Sequence, residues 1–64
     1  MFKIGDTVKI ISLNGDISRY ASKSIIGQVG KILEITELSI KVYIPSGVYW
    51  YLNQEDLEKE DKNP

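Results

Sequence analysis

Sixty-four residues, 42% of them apolar, with eight basic and nine acidic side chains for a net charge of −1, are enough for one small core and no second domain. Histidine and cysteine are both absent, which excludes Ser-His-Asp and Cys-His nucleophiles, Cys/His zinc sites, thiol redox chemistry and disulfides together. Residues 1–50 carry six basic and four acidic groups and residues 51–64 two basic and five acidic, so the chain lacks the strongly basic face by which a protein neutralises many phosphates at once.

The start, Met1-Phe2-Lys3-Ile4-Gly5-Asp6, has no basic region followed by a long apolar stretch and a small-residue cleavage site. The longest apolar run, Val48–Leu52, is far short of the roughly 20 residues that span a bilayer. With cysteine missing as well, the expectation is a mature cytoplasmic protein without a membrane segment.

In chain order, Gly5-Asp6 signals a turn, and Thr7-Val8-Lys9-Ile10-Ile11-Ser12 alternates around Val8 and Ile10 with the β-branched content of a half-buried strand. Asn14-Gly15 then predicts a tight turn at positive φ. Asp16 to Ser24 has no clean period and reads as an irregular loop, long for so small a domain and therefore a candidate for function. A second strand, Gly27 to Ile35, has two glycines near its start, where a bulge or a close backbone approach would bend the sheet.

Ser39-Ile40-Lys41-Val42-Tyr43-Ile44 alternates cleanly and predicts a third strand. Pro45-Ser46-Gly47 has the chemistry of a three-residue hairpin loop, a type I turn closed by a glycine. The register this implies pairs Ile44 with Val48, Tyr43 with Tyr49, Val42 with Trp50, Lys41 with Tyr51 and Ile40 with Leu52, each pair matched in character. Asn53 is placed to cap one helical turn over Gln54-Glu55-Asp56, and Leu57 returns to the core in a short last strand. Residues 60–64 have nothing to bury and are expected to fray, leaving one domain over residues 1–59. The predicted core comprises Val8, Ile10, Val29, Ile32, Ile35, Ile40, Val42, Ile44, Val48, Trp50, Leu52 and Leu57, with one edge of Trp50 exposed.

Three stretches carry a resemblance: Gly5-Asp6 with Val8-Lys9-Ile10, then Gly27, Val29, Gly30 and Ile32, then Val42, Pro45, Gly47 and Trp50, closing on Asp56-Leu57-Glu58. Their order and spacing resemble small SH3-like barrels, most of all the repeats of Mind bomb and HERC-type ubiquitin ligases, and are similar to the small barrel protein of the photosystem I reaction centre. The central glycines are similar to the KOW motif, though without its basic loop. The resemblance implies an all-β, five-stranded SH3-like antiparallel barrel with one short 3₁₀ or helical turn before the last strand. It also implies a non-catalytic module that docks on a protein, a peptide or RNA.

The candidate site follows from the hairpin's alternation, which buries Ile40, Val42 and Leu52 and turns Tyr43, Tyr49 and Tyr51 outward beside Lys41. An outward aromatic strip is the composition of an interface hot spot. Tyrosines are equally good strand formers whose pairing needs no ligand, and the long loop would also be able to cover them. Arg19 and Tyr20 in that loop either border the strip or, for Tyr20, plug the end of the barrel. Lys9, Lys23, Lys31 and Lys41 read as solvated surface, or as a track for a single strand whose bases stack on the rings.

The acids Glu55, Asp56, Glu58, Glu60 and Asp61 lack calcium-loop spacing and read as a solvated tail, so no metal, cofactor or catalytic residue is expected. The expected partner is a protein or peptide held by Arg19, Tyr20, Lys41, Tyr43, Tyr49 and Tyr51. The alternatives are a weak single-stranded RNA or DNA contact on the same residues, and an accessory role inside a larger complex.

Overall fold

The computed structural model describes residues 1–60. It is all-β: β1 (Thr7–Ile10), β2 (Val29–Ile35), β3 (Ile40–Ile44), β4 (Val48–Leu52) and β5 (Leu57–Lys59) form one antiparallel sheet in the order β4-β3-β2-β1-β5. β4 and β5 are the two edges, with no ladder between them. The expected 3₁₀ turn before the last strand spans Gln54–Asp56. No helix of the described residues is long and apolar enough to cross a membrane.

The turns show why each strand begins where it does. Gly5 sits at φ +95°, the left-handed region that a residue with a Cβ rarely enters, and Asp6 N–H closes that turn onto Lys3 O. Gly47, at φ +108°, donates its N–H to Ile44 O at 2.8 Å and closes the three-residue loop after β3. All five pairs of the β3–β4 register match the expectation, from Ile44 with Val48 to Ile40 with Leu52.

β2 departs from strict alternation. Its register with β3 shifts between Ile32 and Glu34, so Leu33 is the extra residue of a bulge and Ile32 and Ile35 fall on the same face three positions apart. Gly30 lies where β3 passes close by: a Cβ there would overlap the Tyr43 carbonyl oxygen and the Val42 side chain. Both features bend the sheet around its inner face.

That inner face holds Val8, Ile10, Ile32, Ile40, Val42, Ile44, Leu52 and Leu57, all buried, with Phe2, Leu13, Ala21 and Trp50 packed against them. Four core assignments change. Val29 pairs with Lys9 and faces outward, because it precedes the inward Gly30. Ile35 and Val48 lie at strand ends beyond the reach of any cover and are 39% and 45% exposed. Ile25, read as loop, is 4% exposed and belongs to the core. It is carried inward by the second of two 3₁₀ turns in the long loop, Ser18–Tyr20 and Lys23–Ile25, where an irregular path was expected.

The loop's entry is also built differently. No non-glycine residue of the described chain has positive φ, and Gly15 does not either, so Asn14-Gly15 is not a hairpin turn of the mirror-image type. Gly15 is there for space: a Cβ on it would overlap the Asn53 side chain. At the other terminus the ladder reaches further than expected, since Glu60 N–H donates to Thr7 O at 2.8 Å. The rest of the expected frayed tail, 61–64, lies outside the described residues.

Candidate interaction surface

Directly paired residues of antiparallel strands share a face, so the register defines the outer surface row by row. Tyr49 of β4, Tyr43 of β3, Lys31 of β2 and Thr7 of β1 form one row; Tyr51, Lys41 and Glu34 form the next. Tyr43, Tyr49 and Tyr51 are 40%, 52% and 46% exposed, so the long loop does not cover them.

The strip has internal order. The Tyr49 and Tyr51 rings meet edge to face with centroids 6.1 Å apart, the arrangement the ring quadrupole favours. Lys41 Nζ lies 4.2 Å from the Tyr49 centroid and 5.8 Å from that of Tyr51. The ammonium sits on the rings of β4 instead of pairing with Glu34, its neighbour in β2; among the described residues Lys59 and Asp6 form the single ion pair. A cation held on two aromatic faces keeps both rings oriented while its charge stays available to solvent.

Arg19 and Tyr20 lie beside this strip. Tyr20 is 77% exposed, which sets aside the plug, and the Arg19 guanidinium carbon stands 5.3 Å from its ring centroid. Tyr20, Ile17, Ala21, Trp50 and Tyr51 line a shallow groove of about 240 Å³, so Tyr51 belongs both to the strip and to the loop's groove. Trp50, which faces the core, is half-buried, and its indole N–H is buried without a hydrogen-bond partner among the described residues. On the far side of Tyr43 a second groove of about 380 Å³, almost wholly apolar, runs between Val29, Leu33, Tyr43 and Pro45. The bulge that exposes Leu33 is what supplies its wall.

The loop bearing Arg19 and Tyr20 is held in place by a polar anchor that the sequence reading missed. Asp56, expected on a solvated tail, is completely buried. Its carboxylate accepts from the Ser12 hydroxyl at 2.5 Å, from Asn14 N–H at 3.0 Å and from Gly15 N–H at 2.9 Å. Burial by itself would push this carboxyl up, but the hydrogen bonds from Ser12, Asn14, Ser18 and Gly15 outweigh it and hold the group below its usual value.

Asn53 completes the anchor. Its side chain makes no cap to the 3₁₀ turn that follows; instead its Oδ1 accepts from Ile17 N–H at 2.8 Å and Ser18 N–H at 2.9 Å. Its own backbone N–H donates to the buried Ser18 hydroxyl at 2.6 Å. Residues 12–18 and 53–56 thus satisfy one another's polar groups across more than thirty residues of chain. The one sequence signal for this was an Asn-x-x-Asp pair set against a loop rich in small residues, which an acidic run conceals.

Comparison with protein-family models, with curated proteins and with solved structures finds no match for this chain. What it does must be argued from the surface itself.

Proposed function

We propose that this chain is a non-catalytic interaction module that binds a protein or peptide partner through the outward tyrosine strip and the adjoining loop. The observation that carries the reading is the exposed, pre-oriented set Tyr43, Tyr49, Tyr51 and Lys41, which meets Arg19 and Tyr20 at the groove beside Tyr51. Tyrosine and arginine gain much binding energy per residue because they bury a large area at a small cost in side-chain freedom. The fold reading goes with it: a four-strand meander whose fifth strand returns beside β1, after a 3₁₀ turn and over a strongly bent β2, supports a small SH3-like barrel.

A single-stranded nucleic acid is the second reading, favoured by one observation: Lys31 and Lys41 pair with Tyr43 and Tyr51 on the same face. Against it, Glu34 pairs with Lys41 and Glu58 with Lys9, so carboxylates interrupt the cations and leave no continuous phosphate track.

Capture of partners on immobilised protein, with and without nuclease, separates the two. A partner that survives nuclease and is lost with Tyr49→Ser/Tyr51→Ser supports the protein module. Nuclease-sensitive capture that fades steeply with salt moves the assignment to nucleic acid, and capture indifferent to the double substitution overturns the surface.

A further inference from the structure

We infer that β4 is an acceptor strand, on whose free edge an extended acidic peptide segment adds as a sixth strand with its carboxylates on Lys41 and Arg19. The inference deepens the reading above and rests on it. It starts from a difference between the two sheet edges. β5 is three residues long, carries Glu58 and Lys59, and has Lys59 tied to Asp6 at 3.6 Å. Short length and charge are the usual guards against unwanted pairing. β4 has neither: Val48-Tyr49-Trp50-Tyr51-Leu52 contains no charge and no proline, and it keeps regular register with β3 over all five residues. An edge of this kind is a template for main-chain pairing.

The side chains flanking that edge define what would pair with it. On the outer face a new strand would place every second side chain beside Tyr49 and Tyr51, next to the Lys41 ammonium. On the inner face the alternate side chains would lie beside Val48, which is 45% exposed, and the half-buried Trp50. Arg19, across the groove from Trp50 and Tyr51, is the second cation within this reach, and neither it nor Lys41 has a carboxylate at ion-pair distance among the described residues. Charge complementarity therefore selects a segment that alternates acidic and apolar side chains, held by backbone hydrogen bonds along β4.

A blocked hexapeptide alternating glutamate and valine tests this, with backbone amide shifts of the full chain followed by NMR. The expected result is saturable shifts centred on Tyr49 and Tyr51, with the corresponding lysine–valine peptide giving none. Two further peptides, N-methylated on every glutamate or on every valine, probe the pairing, because only one edge of a strand faces β4. One should bind like the parent and the other at least about tenfold more weakly. Arg19→Gln and Lys41→Gln should each weaken the acidic peptide about threefold or more and leave Tm in place.

Equal binding of both methylated peptides would overturn strand addition while leaving the tyrosine module intact. Equal binding of the lysine peptide would overturn the acidic partner, and no binding of the parent peptide would overturn the inference as a whole. Shifts produced at the same amides by oligothymidylate alone would replace it with nucleic acid, and concentration-dependent shifts of β4 without any peptide would replace it with a second copy of the chain.

Discussion

The β3–β4 hairpin and the Asp56 anchor hold their segments by opposite means. The hairpin relies on local order: a three-residue turn closed by Gly47, five matched cross-strand pairs, and aromatic side chains left half in water. The anchor relies on distant residues: a buried carboxylate and a buried hydroxyl, each occupied by hydrogen bonds to chain far away in sequence. Groups that are exposed can be changed at little cost to folding, while each group in a buried network leaves an unpaired partner behind when it is removed. The same small domain thus separates the surface free to bind from the polar cluster obliged to support it.

Substitutions should widen that separation. Asp56→Ala strands the Ser12 hydroxyl and the Asn14 and Gly15 amides at once, and at about 1–3 kcal/mol for each unsatisfied buried group it should exceed the roughly 5 kcal/mol that a small domain has in hand. Circular dichroism at 25 °C should find it unfolded. Trp50→Ala removes a half-buried indole and should cost about 2–3 kcal/mol in urea unfolding, below the range for a fully buried aromatic because part of the ring is already in solvent. Gly15→Ala, an innocuous change on an open loop, should cost about 1–3 kcal/mol here by forcing the Asn53 side chain off Ile17 and Ser18.

Acid should act through the anchor alone. Because the folded Asp56 pKa is held below its ordinary value of 3.8, the carboxylate's contribution is complete above that pH and is lost as pH falls below it through the lowered folded value. Chemical denaturation between pH 6 and pH 2.5 should show this loss in the wild type. Asp56→Asn, less stable at pH 6, should lose less on acidification.

How much of this was legible in the sequence follows the same division. Strict alternation from Ile40 to Leu52 around a proline-and-glycine loop determines strand, register and face together, so the tyrosine strip was readable residue by residue. In β2 the bulge at Leu33 was visible only as an odd spacing of Ile32 and Ile35, and the outward turn of Val29 was missed because Gly30, with no side chain, gives no apolar signal for the face it occupies. Asp56 and Asn53 were misread because a buried carboxylate and a solvated one look alike in one dimension. What distinguishes them is a set of backbone donors some forty residues away. Ile25 was lost for a related reason, since a single 3₁₀ turn is too short to display a period.

Thermal unfolding of Tyr49→Ser/Tyr51→Ser, with partner capture measured on the same preparation, tests the division most directly. Two half-exposed rings worth about 1 kcal/mol together in cross-strand contacts should move Tm by no more than about 8 °C while capture is abolished. A variant that unfolds as Asp56→Ala does would make the tyrosines part of the scaffold, and one that stays folded and still captures its partner would remove them from the binding surface.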